Sequence, residues 1–418
     1  MGFLKSVTLK ERHTGLFLLL FTFMLSNYNV YIGFYLKPYM IFLCIFLLFH
    51  LSSFSFQKMY SYEIVLILFY LFYVFTGAFS AYPFASIRMM AGIALLIGFY
   101  FILKFVLKMY SNFAIQEAIA KSGLLFNAVS LLLYIAGIKK TGLQMTEEMS
   151  VSYGVLFDRD YPRLVGLLQD PNLFVFYNSI FFAYFLTNMT TVRNKIGFTL
   201  CILTTVLTFS RGGILAMLLI IMIYIVISNS SERWRTMTTI GVIFIPAAYF
   251  AIFIMKIDVG ALLVGRIEDF SNDGGSGRFE LWGRAWEYFL AHPVMGIGAD
   301  NFIEYNNVHY GENLYTHNTL LQILTESGLL GFVMYFIFLL LVFVQLLKRR
   351  LMKHHTYLLL IFIAFLLQIM SLSLIIHEVF ILYLAILSIT LQREENVQRK
   401  NTPSDIERST DSLGGYWK

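Results

Sequence analysis

Apolar residues run through this chain in continuous stretches of about twenty, separated by short polar segments. A helix of that length spans a hydrocarbon core of roughly 30 Å. Lipid cannot satisfy backbone polar groups, so such segments must be helices or strands of a closed barrel. The runs are continuous rather than alternating, which favours helices. The pattern therefore predicts an all-α polytopic membrane protein.

The stretches predict roughly twelve transmembrane helices. They lie near 15–35, 38–56, 61–80, 83–107, 119–137, 173–191, 196–210, 212–229, 237–256, 328–347, 356–375 and 377–392. Two longer polar segments interrupt them, at about 138–172 and 257–327. The tail 393–418 is polar, carries both charge signs and is expected to be disordered. The predicted organisation is one membrane domain over 1–392, a large outer loop at about 257–327, and a cytosolic tail.

Composition and charge agree with this architecture. Hydrophobic residues make up 58% of the 418, charged residues 13%, and the mean hydropathy is +0.71. With both termini in the cytosol, most Lys and Arg residues fall in segments predicted to be cytosolic, as the positive-inside rule requires. Both long polar segments then face outward. This bias accounts for the net charge of +6, so no nucleic-acid partner is expected. Cys44 and Cys201 lie in apolar runs and predict no disulfide framework or metal cluster.

The larger loop contains SNDGGSGRFELWGRAWEYFLAHPVMGIGADNF (271–302). Its first residues are turn formers, and a helix is predicted from about Gly277 to Ala291, ending before His292-Pro293. Glu280 and Arg284 form an i,i+4 pair on one face. Aromatic residues recur on another face at helical spacing: Phe279, Trp282, Trp286 and Phe289. We expect this amphipathic helix to lie along the membrane interface.

Two arginines lie close to predicted spans. Arg211 occupies a Ser-Arg-Gly-Gly break between spans seven and eight, and Arg88 sits one or two turns below the outer end of span four. A cation within the bilayer costs about 2.5 kcal/mol or more, so such residues are usually functional or paired. The alternative is that both side chains extend to the lipid headgroups. For Arg211, the following glycines favour function, because a ligand can approach their backbone.

Two more arginines lie in the outer segments. Arg278 opens the loop helix, and Arg163 lies in YPRLVGLLQDPN (161–172). The alternative for Arg278 is a solvated residue paired with Glu280 or Asp273, although a cation in the first turn opposes the helix dipole. Several arginines at one membrane face suit a phosphate group, which guanidinium binds with two parallel hydrogen bonds. A lipid pyrophosphate is the membrane-embedded ligand with that charge.

His317 is the histidine of interest. Among the eight histidines it alone combines a predicted outer position with the start of a membrane-directed apolar run. By itself it is more typical of a helix start than of a base. Asn318 beside it is predicted to cap the helix. Gly296-x-Gly298 lacks a βαβ context, so no nucleotide site is predicted.

Together these motifs resemble a known family. They are SRGG (210–213), R-x-x-G-x-x-x-D-P-N (163–172), SGR followed by Trp282, then G-I-G and HNTLLQILTESGLLG (317–331). Their order is similar to that of the O-antigen ligase and Wzy-type polymerase superfamily. The resemblance covers about 160–335 in specific motifs and the whole chain in span count. Order and spacing carry it, since no single motif is decisive.

The resemblance implies a GT-C-like glycosyltransferase of the bacterial plasma (inner) membrane. Such enzymes use undecaprenyl-pyrophosphate-linked glycans outside the membrane, without a metal, nucleotide sugar or other cofactor. By resemblance, the site consists of a general base, His317, and pyrophosphate-binding arginines, Arg211, Arg278 and Arg163, with Arg88 and Asn318 as further candidates. A neutral imidazole can take a proton from an acceptor hydroxyl, and arginines can stabilise the departing pyrophosphate. One such displacement inverts the anomeric carbon.

Three functions remain open. The first is a polymerase that joins lipid-linked repeat units into an O-antigen, capsule or exopolysaccharide. The second is a ligase that transfers the finished glycan to lipid A-core or protein, and the third is a transporter or flippase of lipid-linked sugars. One long outer loop favours an enzyme, because transporters typically show inverted repeats. The many Phe, Ile and Lys residues are typical of low-GC genomes, including genomes of bacteria without lipopolysaccharide. A ligase that acts on lipid A-core has no acceptor in such a bacterium, so the composition favours the polymerase. The expected partners are the lipid-linked donor, a glycan or lipid acceptor, membrane lipids and other polysaccharide-assembly proteins.

Overall fold

The computed structural model describes residues 14–141, 150–158, 161–249 and 277–400, and within them the chain is mostly helical. The helices are α1 (Thr14–Phe23), α2 (Pro38–His50), α3 (Ser61–Thr76), α4 (Pro83–Lys108), α5 (Asn112–Thr141), α6 (Pro171–Thr187), α7 (Val192–Leu207), α8 (Arg211–Ile227), α9 (Ser230–Tyr249), α10 (Arg278–Ala291), α11 (Phe302–Tyr310), α12 (Thr319–Leu346), α13 (Arg349–His354), α14 (Thr356–Ile369) and α15 (Glu378–Lys400). Two small antiparallel sheets accompany them: β1 (Val30–Tyr31) with β2 (Tyr35–Leu36), and β3 (Ser150–Ser152), β4 (Val155–Asp158) and β5 (Tyr161–Leu164) in that order.

In the described ranges, four helices are long and apolar enough to cross a membrane. They are α4, α5, α12 and the segment Ser61–Phe79, which is α3 with a following 3₁₀ turn. Four shorter apolar helices, α1, α2, α8 and α14, accompany them in the described ranges. The helical membrane architecture is thus confirmed in this coarser form. The count of twelve spans and the outer position of the large loop stay predictions.

Helix α6 lies at the centre of the bundle. Every residue from Phe174 to Leu186 is buried, and α5, α7, α8 and α14 pack around it. Its start is well defined, because Asp170 accepts hydrogen bonds from the backbone N–H groups of Asn172 and Leu173, and Pro171 occupies the first turn. The Asp-Pro-Asn triplet is therefore a helix start, with proline where no backbone donor is needed.

Successive long helices run in opposite directions, so the bundle has two distinct ends. At one end, which we call the loop end, Lys37 pairs with Glu378 at 2.8 Å and Thr319 Oγ1 donates to the Leu372 carbonyl at 2.6 Å. At the opposite end, Lys58 pairs with Glu395 at 2.7 Å. The segments at that opposite end are those predicted to be cytosolic. Which side of a membrane each end faces stays a prediction.

Helix α12 contains a break in its hydrogen-bond ladder at Gly328, whose φ is 64° and ψ is −166°. In a regular helix, Leu329 and Leu330 would donate to the carbonyls four residues earlier. Here they donate to the carbonyls of Pro293 and Val294, at 2.9 and 3.5 Å. The carbonyls they leave, those of Thr325 and Glu326, accept from Ile297 and Gly298, at 3.0 and 2.9 Å. The segment 293–298 therefore completes the backbone pairing of α12.

Two glycines make this contact tight enough. A Cβ on Gly296 would lie 2.4 Å from the Glu326 carbonyl carbon, and one on Gly328 would lie 2.3 Å from the Val294 carbonyl group. Gly298 is equally close to Ser80, before α4. The Gly-x-Gly pair thus serves backbone packing against α12 and α4, which explains it without a nucleotide.

The structure shortens the first predicted span at its C-terminal end. The first span was predicted over 15–35, but α1 ends at Phe23 and the chain then forms turns and the β1–β2 hairpin. Asn29 donates to the backbone carbonyls of Ser26 and Asn27, and Ser26 Oγ accepts from Tyr177. These short polar side chains offer the backbone an alternative to helical pairing, which ends the helix early.

Two further predicted boundaries also move. The tenth span was predicted to begin at 328, whereas α12 begins at Thr319. Its first turns carry polar side chains that are buried against the neighbouring loop: Gln322, Thr325, Glu326 and Ser327. The tail was predicted to start at 393, but α15 continues to Lys400, and Arg393 donates to Asn112 and to the Leu107 carbonyl. Residues from 401 lie outside the described ranges.

Gly328→Ala is expected to disrupt this arrangement. The left-handed φ with an extended ψ is a region that costs other residues about 1–3 kcal/mol, and the added methyl would meet backbone atoms that cannot move aside. We expect a clearly lower melting temperature of the detergent-purified protein. The matched control is Gly283→Ala in α10, where a Cβ meets nothing within 4 Å. That variant should be as stable as the wild type or slightly more so, and equal melting of both variants would contradict the account.

Candidate active site

The motif residues of 163–172 and 208–213 meet at the loop end through hydrogen bonds. Arg163 lies on β5 opposite Leu156 and donates from Nε to the Thr208 carbonyl at 3.1 Å. Ser210 caps α8 by accepting from Gly213, and its hydroxyl donates to Asn172 at 2.7 Å. The starts of α6 and α8 are therefore adjacent. Arg211, the first residue of α8, follows directly on this junction.

The glycines after Arg211 have separate roles. A Cβ on Gly213 would lie 2.8 Å from Val175, so this glycine lets α8 pack closely on α6. The expectation that both glycines expose backbone to a ligand is therefore wrong for Gly213. Gly212 is exposed, and its nearest neighbour at the Cβ position is Ser371 Oγ, at 3.6 Å. Only Gly212 leaves room beside Arg211.

The loop between α14 and α15 links Arg211 to the start of α12. Ser371 of this loop lies beside Gly212, as described above. Thr319 of α12 binds the same loop through two hydrogen bonds. Its Oγ1 donates to the Leu372 carbonyl and accepts from the Leu374 N–H at 2.9 Å. Thr319 is two residues after His317. The segments that carry Arg211 and His317 are thus held against one shared loop.

His317 has an unusual backbone conformation. Its φ is 49°, in the left-handed region that non-glycine residues seldom adopt and that is enriched at functional sites. Thr316 and Asn318 fix it from both sides, since the Thr316 hydroxyl donates to the Asn318 carbonyl at 2.9 Å. Asn318 caps α12 by accepting from the Leu321 N–H at 3.1 Å. The predicted cap is therefore Asn318, and His317 is not needed for capping.

Helix α10 supports the same turn. Trp282 donates from its indole nitrogen to the Thr316 carbonyl at 2.9 Å. The predicted helix boundaries and the Glu280–Arg284 pair are confirmed. Arg284 also pairs with Glu312 at 2.7 Å and lies over the Tyr310 ring at 3.7 Å, which fastens α10 to the chain before His317. Phe279, Trp286 and Leu290 of α10 are exposed, and the interfacial position of this helix stays a prediction.

His317 and Arg278 influence each other electrostatically. Burial lowers the pKa of His317 below its ordinary 6.5, the positive charge of Arg278 lowers it further, and the negative charge of Asp170 opposes them. Arg278 is the first residue of α10 and Asp170 the cap of α6, so the starts of both helices lie near the imidazole. A neutral imidazole at ordinary pH is what a general base requires.

Arg88 is placed differently from the other candidates. It is exposed and pairs with Glu304 of α11 at 2.5 Å. The Arg88 side chain therefore pairs with a protein carboxylate at the loop end, and does not simply extend to the lipid headgroups. It lines a separate cavity together with Asp300 and Tyr315.

Two buried carboxylates beneath the loop, Glu326 and Asp300, were not predicted from the sequence. Glu326 is fully buried in α12 and accepts from Tyr73 of α3, from Gln322 and, at 3.1 Å, from the Phe302 N–H. Asp300 lies close to it and is also buried, and burial raises the pKa of Asp300 to about 6. The available signal was an ionisable residue at the edge of an apolar run, which usually has a partner.

The arrangement can bind an anion next to a base. The first residues of α6, α8, α10 and α12 gather at the loop end, where helix N-termini carry partial positive charge. Arg211, Arg278 and Arg163 lie on or beside these starts, and His317 lies among them. The fold and this cluster define a class: a polytopic helical membrane protein with an arginine–histidine site at one end of its bundle.

The comparison with protein families identifies the central segment. Residues 196–336 match the model of the Wzy_C family, whose description is O-Antigen ligase. The resemblance inferred from the motifs is thereby confirmed for a segment that contains Arg211, Arg278 and His317. No curated protein matches the chain.

Trp282→Phe is expected to loosen the turn that carries His317. The ring stays apolar but no longer donates to the Thr316 carbonyl, so peptides covering 315–321 should exchange amide hydrogens faster. Trp286→Phe is the matched control on the same helix, because Trp286 is half exposed and its ring packs against Phe289. Hydrogen–deuterium exchange measures both. Equal exchange in the two variants would show that Trp282 does not support His317.

Proposed function

We propose that this chain is a membrane glycosyltransferase that acts on undecaprenyl-pyrophosphate-linked glycans outside the bacterial plasma membrane. The observation that carries the proposal is the gathering of Arg211, Arg278 and His317 at one end of the bundle, within the segment that matches the O-antigen ligase family. Arg163 joins them through the Thr208 carbonyl. In this proposal the loop end faces outward and both termini lie in the cytosol.

The reaction is a single displacement at the anomeric carbon of the donor. An acceptor hydroxyl attacks that carbon, the bond from the carbon to the pyrophosphate oxygen breaks, and the configuration inverts. His317 accepts the proton of the attacking hydroxyl through a ring nitrogen. Arg211, Arg278 and Arg163 bind the pyrophosphate and stabilise the negative charge that grows on it as it leaves. The helix N-termini around them act in the same direction.

Donor binding and base function support each other in this geometry. Because Arg278 lowers the pKa of His317, the same cation that holds the pyrophosphate keeps the imidazole unprotonated before the reaction. Once a pyrophosphate is bound, its negative charge offsets that of Arg278, so the imidazole becomes a stronger base when the donor is in place. The base is therefore strengthened by the arrival of its substrate.

Polymerase and ligase remain the two candidate reactions. A composition typical of low-GC genomes favours the polymerase, and the description of the matched family favours a ligase that transfers the glycan to lipid A-core or protein. The two differ in the acceptor. Product analysis separates them, since a polymerase leaves longer chains on the lipid carrier whereas a ligase empties the carrier onto another molecule.

Arg211→Lys should lose most glycan synthesis although the charge is kept, because an ammonium group cannot form two parallel bonds to a phosphate. Arg278→Ala should behave likewise, and Arg88→Ala should lose less, since Arg88 pairs with Glu304. The measurement is glycan length in membranes at matched expression. Arg349→Lys, an exposed residue at the opposite end, is the control and should retain full synthesis. Full-length glycan from both Arg211→Lys and Arg278→Ala would exclude the pyrophosphate role.

His317→Ala should reduce turnover by about 10²–10⁴-fold while donor binding persists. In the wild type, activity should hold as pH falls to 6.5 and decline only below it, because the lowered pKa keeps the imidazole neutral there. Asp170→Asn retains a helix-capping side chain but removes the charge that raises this pKa, so the decline should move to still lower pH. Initial rates of glycan joining are measured against pH at donor concentrations well below KM, where they report the enzyme without bound donor, to test both statements. A decline centred above 6.5, or none in the pH range where the protein stays folded, would remove His317 as the base.

A further inference from the structure

A cavity of about 300 Å³ with both polar and apolar lining opens at the loop end, near the segment that carries His317. The cavity lies between α4, the chain before α11, the chain between α11 and α12, the start of α12, and the loop between α14 and α15. Its lining includes Arg88, Asp300, Tyr315, Gln322 and Ser373. Tyr315 is two residues before His317, and Gln322 lies on the first turn of α12 after it. The cavity volume is at the lower end of the range for small-molecule sites, about 300–1,000 Å³.

Two polar atoms in this lining have no partner in the part of the chain that the structure describes. Gln322 is 2% exposed, and its Oε1 accepts no hydrogen bond although its Nε2 donates to Glu326 at 3.3 Å. The hydroxyl of Ser373 is buried and equally unpartnered. A buried polar group without a partner typically costs about 1–3 kcal/mol, so native structures seldom retain one without a reason. Both residues line the cavity, so a ligand with hydroxyl groups satisfies these atoms once each side chain rotates to face it.

The charges around the cavity favour a neutral ligand. Arg88 is paired with Glu304, and Asp300 accepts a hydrogen bond from the Tyr315 hydroxyl at 3.3 Å. Little positive charge is therefore left to attract an anion. The Tyr315 ring and the side chains of Met89 and Ile376 add apolar surface next to the polar groups. Alternating polar and apolar surface of this kind fits a sugar ring, whose hydroxyl edge and C–H face need both.

We propose that this cavity is the saccharide subsite that holds the acceptor glycan, with Gln322 and Ser373 as its hydrogen-bonding residues. The assignment rests on the proposed glycosyl transfer and deepens it by locating the second substrate. A sugar held here lies next to the turn of His317, so one of its hydroxyls can approach the base. The donor pyrophosphate occupies the arginine side, across the loop that contains Ser371 and Ser373.

A second cavity at the loop end provides the comparison. It measures about 480 Å³ and is lined by residues that include Asn27, Lys37, Tyr177 and Glu378. Its charged groups are already engaged with each other, since Glu378 accepts from both Lys37 and Tyr177 at 2.8 Å. Asn27 Nδ2 is buried and lacks a partner among the described residues. Asn27→Ala therefore removes a comparable atom from the other cavity.

The test is direct sugar binding to the full-length protein in detergent. Saturation-transfer difference NMR is recorded with D-glucose, D-galactose, N-acetyl-D-glucosamine and L-rhamnose as probes. We expect at least one sugar to bind the wild type, and to bind Ser373→Ala and Gln322→Met about three- to tenfold more weakly, as the loss of one hydrogen bond implies. Ser373→Ala removes no hydrogen bond within the described chain, so its melting temperature should equal that of the wild type. Asn27→Ala should bind as the wild type does.

A greater loss in Ser373→Ala or Gln322→Met than in Asn27→Ala supports the subsite. No binding by the wild type, or equal affinities in all three variants, overturns it. Membrane vesicles containing lipid-linked repeat units test glycan joining separately. Wild-type vesicles that fail to join glycans, with sugar binding intact, would overturn the proposed transfer but not the sugar site. Normal joining together with unchanged sugar binding in both cavity variants would overturn the subsite alone.

Discussion

At Gly328, helix α12 gives up two of its own backbone hydrogen bonds, and the segment 293–298 replaces them with four. Neither segment can satisfy its polar groups alone, because a helix break near lipid and an irregular loop both leave donors and acceptors unpaired. Pairing them solves both problems at once. Glu326 reinforces the junction by accepting from the Phe302 N–H and from Tyr73 of α3. The loop is thereby hydrogen-bonded to helices of the bundle along its length and not only at its ends.

The site inherits its geometry from this junction. Once 293–302 is fixed on α12 and α4, helices α10 and α11 on either side of it have little freedom, and Trp282 can hold the turn at Thr316. His317 then lies near both Arg278 and Asp170, and the start of α6 at Asp170 is joined to the start of α8 through Ser210 and Asn172. Residues of the loop and of the bundle therefore meet at the imidazole.

The sequence predicted those features that local chemistry specifies. The Asp-Pro-Asn triplet, the Ser-Arg-Gly-Gly break and the His-Asn pair mark the starts of α6, α8 and α12, because capping depends on a few adjacent residues. The Glu280–Arg284 pair was predictable for the same reason.

Features that depend on distant partners were not predictable. Polar residues such as Gln322 and Glu326 indicated a water-exposed segment, yet Phe302, Tyr73 and the loop bury them. The same holds for the Asp300 cluster and for the pairing of Arg88 with Glu304, which join residues more than two hundred positions apart in sequence. Hydrophobic periodicity carries no information about such pairs.

The interlocked backbone at Gly328 has a consequence for the modularity of the molecule. A loop inserted between two helices is usually exchangeable, because only its ends touch the scaffold. Here the loop supplies hydrogen bonds that the helix lacks. Residues 293–302 and 322–330 therefore form one structural unit whose two parts must change together. A chimera that exchanges one part without the other would unite a broken helix with a loop of the wrong register. Sequence change in this region is therefore expected to proceed by side-chain replacement within the unit, or by exchange of the whole unit.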